Sequence, residues 1–295
     1  MSKRPLIKPI HPQTVDPPPA TNGKHDPNAS ALTHPLELDL AARKFYQEGL
    51  MALLSARVPC LVGGAYALER HTGIVRHTKD FDIFVRPKHV HRTLGVLARA
   101  GFRTDLPFPH WIGKAFHGEY FIDVIFSSGN GLCPVDDEWF EHALDNVVLD
   151  LPVKICPVEE TIWQKAFILE RDRCDSADVA HLLRFCAPRL DWDRLIRRFA
   201  DHWRVLYTHL ILFGFIYPAQ QSLIPRRAMD ELARHLRDEV RRTAPPGRVC
   251  NGTFLSATQY LRDVDLEGFQ DARLAPDGPI GENALAKWTA NFITP

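Results

Sequence analysis

The chain has 295 residues, 45% hydrophobic and 24% charged, ordinary proportions for a globular protein with ample material for a packed core. Basic and acidic residues balance at 36 each, so the formal net charge is +0 and no bulk basic field draws in nucleic acid. The longest apolar run, Val205 to Tyr217, contains His209, stops at Pro218 and is too short for a membrane span. Lys3-Arg4 is followed by Pro-rich polar sequence instead of a signal-peptide core, so a cytoplasmic location without membrane contact is expected. The six cysteines lack zinc-site spacing and read as small buried hydrophobes in a reducing cytosol. Basic pairs such as Arg197-Arg198 read as solvated helix surface.

In chain order, residues 1–35 are rich in Pro, Asn, Thr and charge and are expected to form a disordered or loosely docked arm. Leu40, Phe45, Leu50, Leu53 and Leu54 recur at helical spacing and predict a helix from Leu36 to Ser55. A short buried strand, Pro59 to Val62, ends at Gly63-Gly64, and a helix follows from Ala65 to His71. Asp80 to Arg86 reads as a strand closed by Pro87, and His89 to Ala100 as an amphipathic helix stopped by Gly101. Trp111 to Phe116 and Tyr120 to Ser127 read as a strand pair joined across His117-Gly118, with two short strands at Val147 to Leu149 and Val153 to Ile155. Helices are predicted near Val158 to Leu169, Ser176 to Phe185, Trp192 to Phe199, Val205 to Phe215 and Arg227 to Arg242. Little regular structure is expected after Pro245. The order gives an α+β fold: a small domain of intermixed strands and helices over 36–156, a helical domain over 157–245, and an irregular tail over 246–295.

The chemistry concentrates in Lys79-Asp80-Phe81-Asp82-Ile83. Side chains two apart on a strand share a face, so Asp80 and Asp82 project together while Phe81 and Ile83 turn to the core. Like charges this close are disfavoured unless a cation neutralises them, and magnesium, or manganese, suits hard carboxylate oxygens. Asp123 is the one charge in the apolar strand Tyr120 to Phe126 and is the third candidate; a structural ion pair with Arg or Lys is the competing explanation. Gly63-Gly64 offers a turn where backbone can approach phosphate oxygens. Arg76 and Lys79 flank the acidic strand within reach of phosphates. Lys165 lies on the apolar helix face of Val158 and Ile162, where it must snorkel or meet an anion, and a triphosphate is the favoured anion. Asp178 reads as support for that lysine, pairing with it or with Arg171.

Val62-Gly63-Gly64, Asp80-Phe81-Asp82-Ile83 and Asp123 together resemble the DNA polymerase β-like nucleotidyltransferase superfamily. The helix after Gly-Gly, with Arg76 and Thr78 ahead of the acidic pair, looks most like the lincosamide-type and abortive-infection-toxin-type enzymes. Pro157-Val158-Glu159-Glu160, Lys165, Arg171, Asp175 and Asp178 are similar to the toxin-type helical pattern. The resemblance covers roughly residues 60–185 and implies a polymerase β-like nucleotidyltransferase domain, a short mixed sheet backed by helices, closed by a helical domain. It implies that Asp80 and Asp82 hold magnesium ions, that Asp123 holds the catalytic ion and helps deprotonate the acceptor, and that Gly63 and Gly64 seat the phosphates. The expected partners are a nucleoside triphosphate and a hydroxyl acceptor (a small molecule, a transfer RNA or a protein), with an antitoxin partner if the enzyme is toxin-like. The alternative is a noncatalytic nucleotide-binding or interaction module that retains the fold.

Overall fold

The computed structural model describes residues 40–76, 78, 80–243, 247–274 and 276–293; the predicted arm at 1–35 lies outside them. The elements run α1 (Leu40–Ser55), β1 (Leu61–Val62), α2 (Gly64–Thr72), β2 (Asp80–Phe84), α3 (Val90–Arg99), β3 (Arg103–Phe108), β4 (Ile112–His117) and β5 (Tyr120–Ile125). They continue as α4 (Asp137–Glu141), β6 (Leu144–Val148), β7 (Leu151–Ile155), α5 (Val158–Ala166), α6 (Ser176–Cys186), α7 (Trp192–Phe199), α8 (Trp203–Ile216) and α9 (Arg226–Val240). The C-terminal segment adds β8 (Val249–Cys250), α10 (Leu261–Asp265), β9 (Gln270–Asp271) and α11 (Glu282–Ile293).

Seven strands form one mixed sheet in the order β3-β4-β5-β2-β1-β7-β6. β2 runs parallel to β5, pairing Asp82 with Asp123, while β4 is antiparallel to β5 and pairs Lys114 with Asp123. One sheet face packs on α1 and α3 through Phe45, Tyr46, Phe81, Ile83 and Ile122. The opposite face packs through Leu61, Phe84 and Ile125 into a core shared with Trp139, α5, α6 and α7. The alternation of β2 is obeyed: Phe81 and Ile83 are fully buried, contributing roughly 1.5–3 kcal/mol each. α1 lies so close to β5 that a Cβ on Gly49 would sit 2.4 Å from Ile122 Cδ1, which is why this helix carries a glycine despite its cost of about 1 kcal/mol.

A mixed sheet followed by helices is the arrangement predicted. Three differences have physical causes. β3 was not expected, because Pro107 interrupts its pattern; it is an edge strand whose register shifts between Asp105 and Phe108, where proline is tolerated. The segment after Pro245 is not irregular: Ile280, Leu285 and Trp288 bury together and α11 forms on that short apolar stripe, hidden in a Gly- and Pro-rich composition. Arg197 is exposed as expected, but its neighbour Arg198 is only 8% exposed and grips Glu160 and Asp136, so this pair straddles surface and core. Cys133, Cys156 and Cys186 are buried, whereas Cys174 is exposed. Among the described residues no helix is long and apolar enough to cross a membrane.

Candidate metal centre

β2 and β5 are neighbours, and their register puts Asp82 beside Asp123, with Asp80 two residues back on the same face of β2. One carboxylate oxygen from each of Asp80, Asp82 and Asp123 lies within 4.8 Å of the others. Asp123 is 8% exposed; Asp80 and Asp82 are half-buried. Burial, then the Asp80 and Asp123 charges, pushes the Asp82 carboxyl up to about 7. Burial also raises the Asp123 carboxyl, against the pull of Lys114. Three crowded, partly desolvated carboxylates are costly without a cation, and an all-oxygen donor set suits a hard divalent ion.

The surrounding residues hold these carboxylates in place. Thr78 Oγ1 donates to Asp80 Oδ1. Lys114 Nζ donates to Asp123 Oδ1 at 2.6 Å, so the ion pair considered for Asp123 does form beside the cluster. The Gly63 N–H donates to the Asp82 carbonyl at 3.0 Å and aligns β1 with β2. Gly64 has φ +55°, and a Cβ there would lie 1.9 Å from Asp82 Oδ2. Only glycine lets the first turn of α2 approach this carboxylate, and that turn carries the positive end of the helix dipole. Gly64→Ala is therefore expected to leave a folded protein with manganese affinity reduced at least about tenfold, since a displaced carboxylate ligand costs on the order of 1.4 kcal/mol or more. Calorimetric titration checks this, and unchanged affinity would show that Asp82 is not a ligand.

A basic rim faces the cluster from the helical side. Lys165 Nζ bridges Asp175 at 2.7 Å and Asp178 at 2.8 Å. Arg76 pairs with the same Asp178, and Arg173 pairs with Asp175 at 3.3 Å. Lys165 and Arg173 both act on the Asp82 carboxyl, pulling it downward against burial and the like charges. Of the predicted residues, Asp80, Asp82, Asp123, Gly63 and Gly64 come together, and Arg76 and Lys165 meet at Asp178. Lys79 lies outside the described residues. Asp178 supports Lys165 as expected, but its second partner is Arg76, not Arg171.

Lys114, Asp175 and Arg173 were not singled out as site residues. Lys114 had a signal: it is the one Lys or Arg in its strand. Its importance appears only with the β4–β5 register.

No protein-family model and no curated protein matches the sequence. Among solved structures, the chain is similar to the antibiotic-resistance factor ANT(2'')-Ia, with 18% identity over 69% of this chain and 95% of that one, at a TM-score of 0.35. It is similar to the lincosamide antibiotic adenylyltransferase LnuA bound to lincomycin, with 16% identity over 48% and 94% at a TM-score of 0.35. It is also similar to JHP933 from Helicobacter pylori, with 14% identity over 69% and 97% at a TM-score of 0.36. Likeness this remote does not assign an activity, which has to come from the site.

Proposed function

We propose that this protein is a metal-dependent nucleotidyltransferase of the polymerase β-like type, moving a nucleotide from a nucleoside triphosphate to a hydroxyl. One observation carries the reading: Asp80, Asp82 and Asp123 converge from two adjacent parallel strands, with the Gly63-Gly64 turn pressed against the Asp82 carboxylate. Asp80, Asp82 and Asp123 hold the divalent cation. When bound, that ion neutralises phosphate charge and acidifies the hydroxyl it contacts.

The chain's own groups do the rest. Gly64 and the first turn of α2 bring positive backbone dipole to the phosphates. Arg76 and Lys165, already anchored by Asp178, add positive charge for the phosphates. Asp123, raised by burial and turned by Lys114, accepts the acceptor's hydroxyl proton on its second oxygen. The acceptor oxygen bonds to the α-phosphorus, the bond from that phosphorus to the bridging oxygen breaks, and pyrophosphate leaves with the electron pair. Positioning and charge neutralisation supply most of the acceleration.

The test is label transfer. The protein is incubated with each α-labelled triphosphate, magnesium or manganese, and transfer RNA, aminoglycoside and lincosamide acceptors, with the Asp80→Ala/Asp82→Ala variant alongside. Label in an acceptor or in the protein itself with wild type alone supports the reading. Metal-independent triphosphate binding that the variant retains would overturn it.

A further inference from the structure

A cavity of 570 Å³ opens on the helical side of the sheet, walled by the loops flanking β4 and β5, the end of α5 and its following loop, and the C-terminal segment. Its volume is in the range of small-molecule sites. Arg173 links it to the metal centre: it lines this cavity and pairs with Asp175, which Lys165 bridges to Asp178, and Asp178 holds Arg76 in the segment leading to Asp80. The strand order fixes the side. The Gly63-Gly64 turn follows β1, on one flank of β2; Trp111 precedes β4 and Ser128 to Asn130 follow β5, on the other. The Phe126 N–H donates to the Trp111 carbonyl, so the cavity lies on the β5 side of β2, about 10 Å beyond Asp123 toward the C-terminal end of β5.

Its chemistry is mostly apolar, with Trp111, Phe167, Phe254 and Trp288 among the lining. The charges in it are not free to recognise a cation. Glu170 is spent inside the wall, its oxygens accepting from Ser256 Oγ at 2.5 Å and the Ala257 N–H at 2.7 Å. Of the rest, Arg173 is paired with Asp175 at 3.3 Å, which leaves Asp172 and Arg171 to balance each other, so the lining offers no surplus charge of either sign. The C-terminal wall is built in, not loosely laid on. Asn130 is buried and donates to the Phe254 carbonyl at 2.8 Å, and Gly129 leaves room for the Trp288 ring, which a Cβ would meet at 2.6 Å.

We infer that this cavity, walled by the C-terminal segment, is the acceptor site, and that it takes a hydroxyl-bearing small molecule with a flat apolar part and no net positive charge. This rests on the nucleotidyltransferase reading. A polycation would meet aromatic rings and a single available carboxylate already balanced by Arg171. A polynucleotide would have to bury its charged backbone among aromatic rings.

The probe is the anionic fluorophore 8-anilinonaphthalene-1-sulfonate, titrated into full-length protein. One saturable site is expected, displaced by the uncharged aromatic alcohol chloramphenicol and not by the polycation tobramycin. Gln164→Trp, which fills the cavity from a half-exposed wall position, should weaken probe binding at least about tenfold, the loss of roughly 1.4 kcal/mol. The same variant should keep metal-dependent ATP binding within about twofold, and magnesium–ATP should leave the probe in place. Absence of a saturable site, equal binding to Gln164→Trp, displacement by tobramycin, or displacement by magnesium–ATP would each overturn the assignment. The nucleotidyltransferase reading fails separately, if wild type shows no metal-dependent ATP binding while the probe still binds.

Discussion

Asp82→Asn is expected to lower nucleotidyl transfer at least about a thousandfold, the scale of losing a central electrostatic stabiliser, while making the metal-free protein more stable at pH 8. The two effects share one cause. Burial and the charges of Asp80 and Asp123 hold the Asp82 carboxyl up at about 7. A carboxyl raised above its unfolded value stabilises the fold while protonated, below about pH 4, and that contribution is lost as pH rises through 7. At pH 8 the wild type carries a crowded anion that asparagine lacks, so the variant gains about 2 kcal/mol. At pH 4 the difference should vanish. Magnesium should raise the wild-type midpoint at pH 8 and leave the variant nearly unmoved. Denaturant unfolding at both pH values, with and without the ion, checks each part. A variant less stable than wild type at pH 8 would show that the carboxylates are not in electrostatic conflict.

The second large effect lies behind the site. Glu160 in α5 is 0% exposed and receives Arg198 from α7 at 3.0 Å, with Arg194 at 3.7 Å; Arg194 also pairs with Glu159. Arg198 continues to Asp136 at 2.5 Å and so joins the helical part to the loop before α4. Burial raises the Glu160 carboxyl, and both guanidiniums pull it back down. Glu160→Ala leaves two nearly buried guanidiniums short of a counter-charge and should cost about 3–5 kcal/mol. Replacing the carboxylate and one guanidinium together, Glu160→Met with Arg198→Met, should recover part of that loss, because an apolar pair strands fewer charges. α5 also carries Lys165, so Glu160→Ala should loosen the basic rim and weaken triphosphate binding. Calorimetric unfolding of the three proteins tests this; a single variant within 1 kcal/mol of wild type, on the order of a surface substitution, would contradict it.

The carboxylates were legible because strand alternation is a local rule: Asp80 and Asp82 must share a face, and a lone Asp123 among apolar neighbours demands an explanation. What brings them to one point was not legible. Nothing in Tyr120 to Phe126 says that β5 lies parallel to β2 with Asp123 level with Asp82. The same non-local register turns Lys114 from an ordinary strand lysine into the partner of Asp123. Arg173 escaped notice for a related reason, since it sits in a loop whose path carries no periodic signal. The basic rim was half legible: Lys165 on an apolar helix face predicted anionic company and Asp178 was expected beside it, whereas Asp175 as its second partner was not. The C-terminal wall was hidden by composition, because the few buried apolar residues that fix α11 are diluted by glycine, asparagine and proline.

The most direct test of the metal centre is anomalous diffraction from crystals grown with manganese and a non-hydrolysable triphosphate. The structure predicts manganese peaks bonded to oxygens of Asp80, Asp82 and Asp123 at roughly 2.2 Å, with the phosphates against Gly64. An ordered triphosphate with no peak at these carboxylates, or manganese bound elsewhere, would contradict the account.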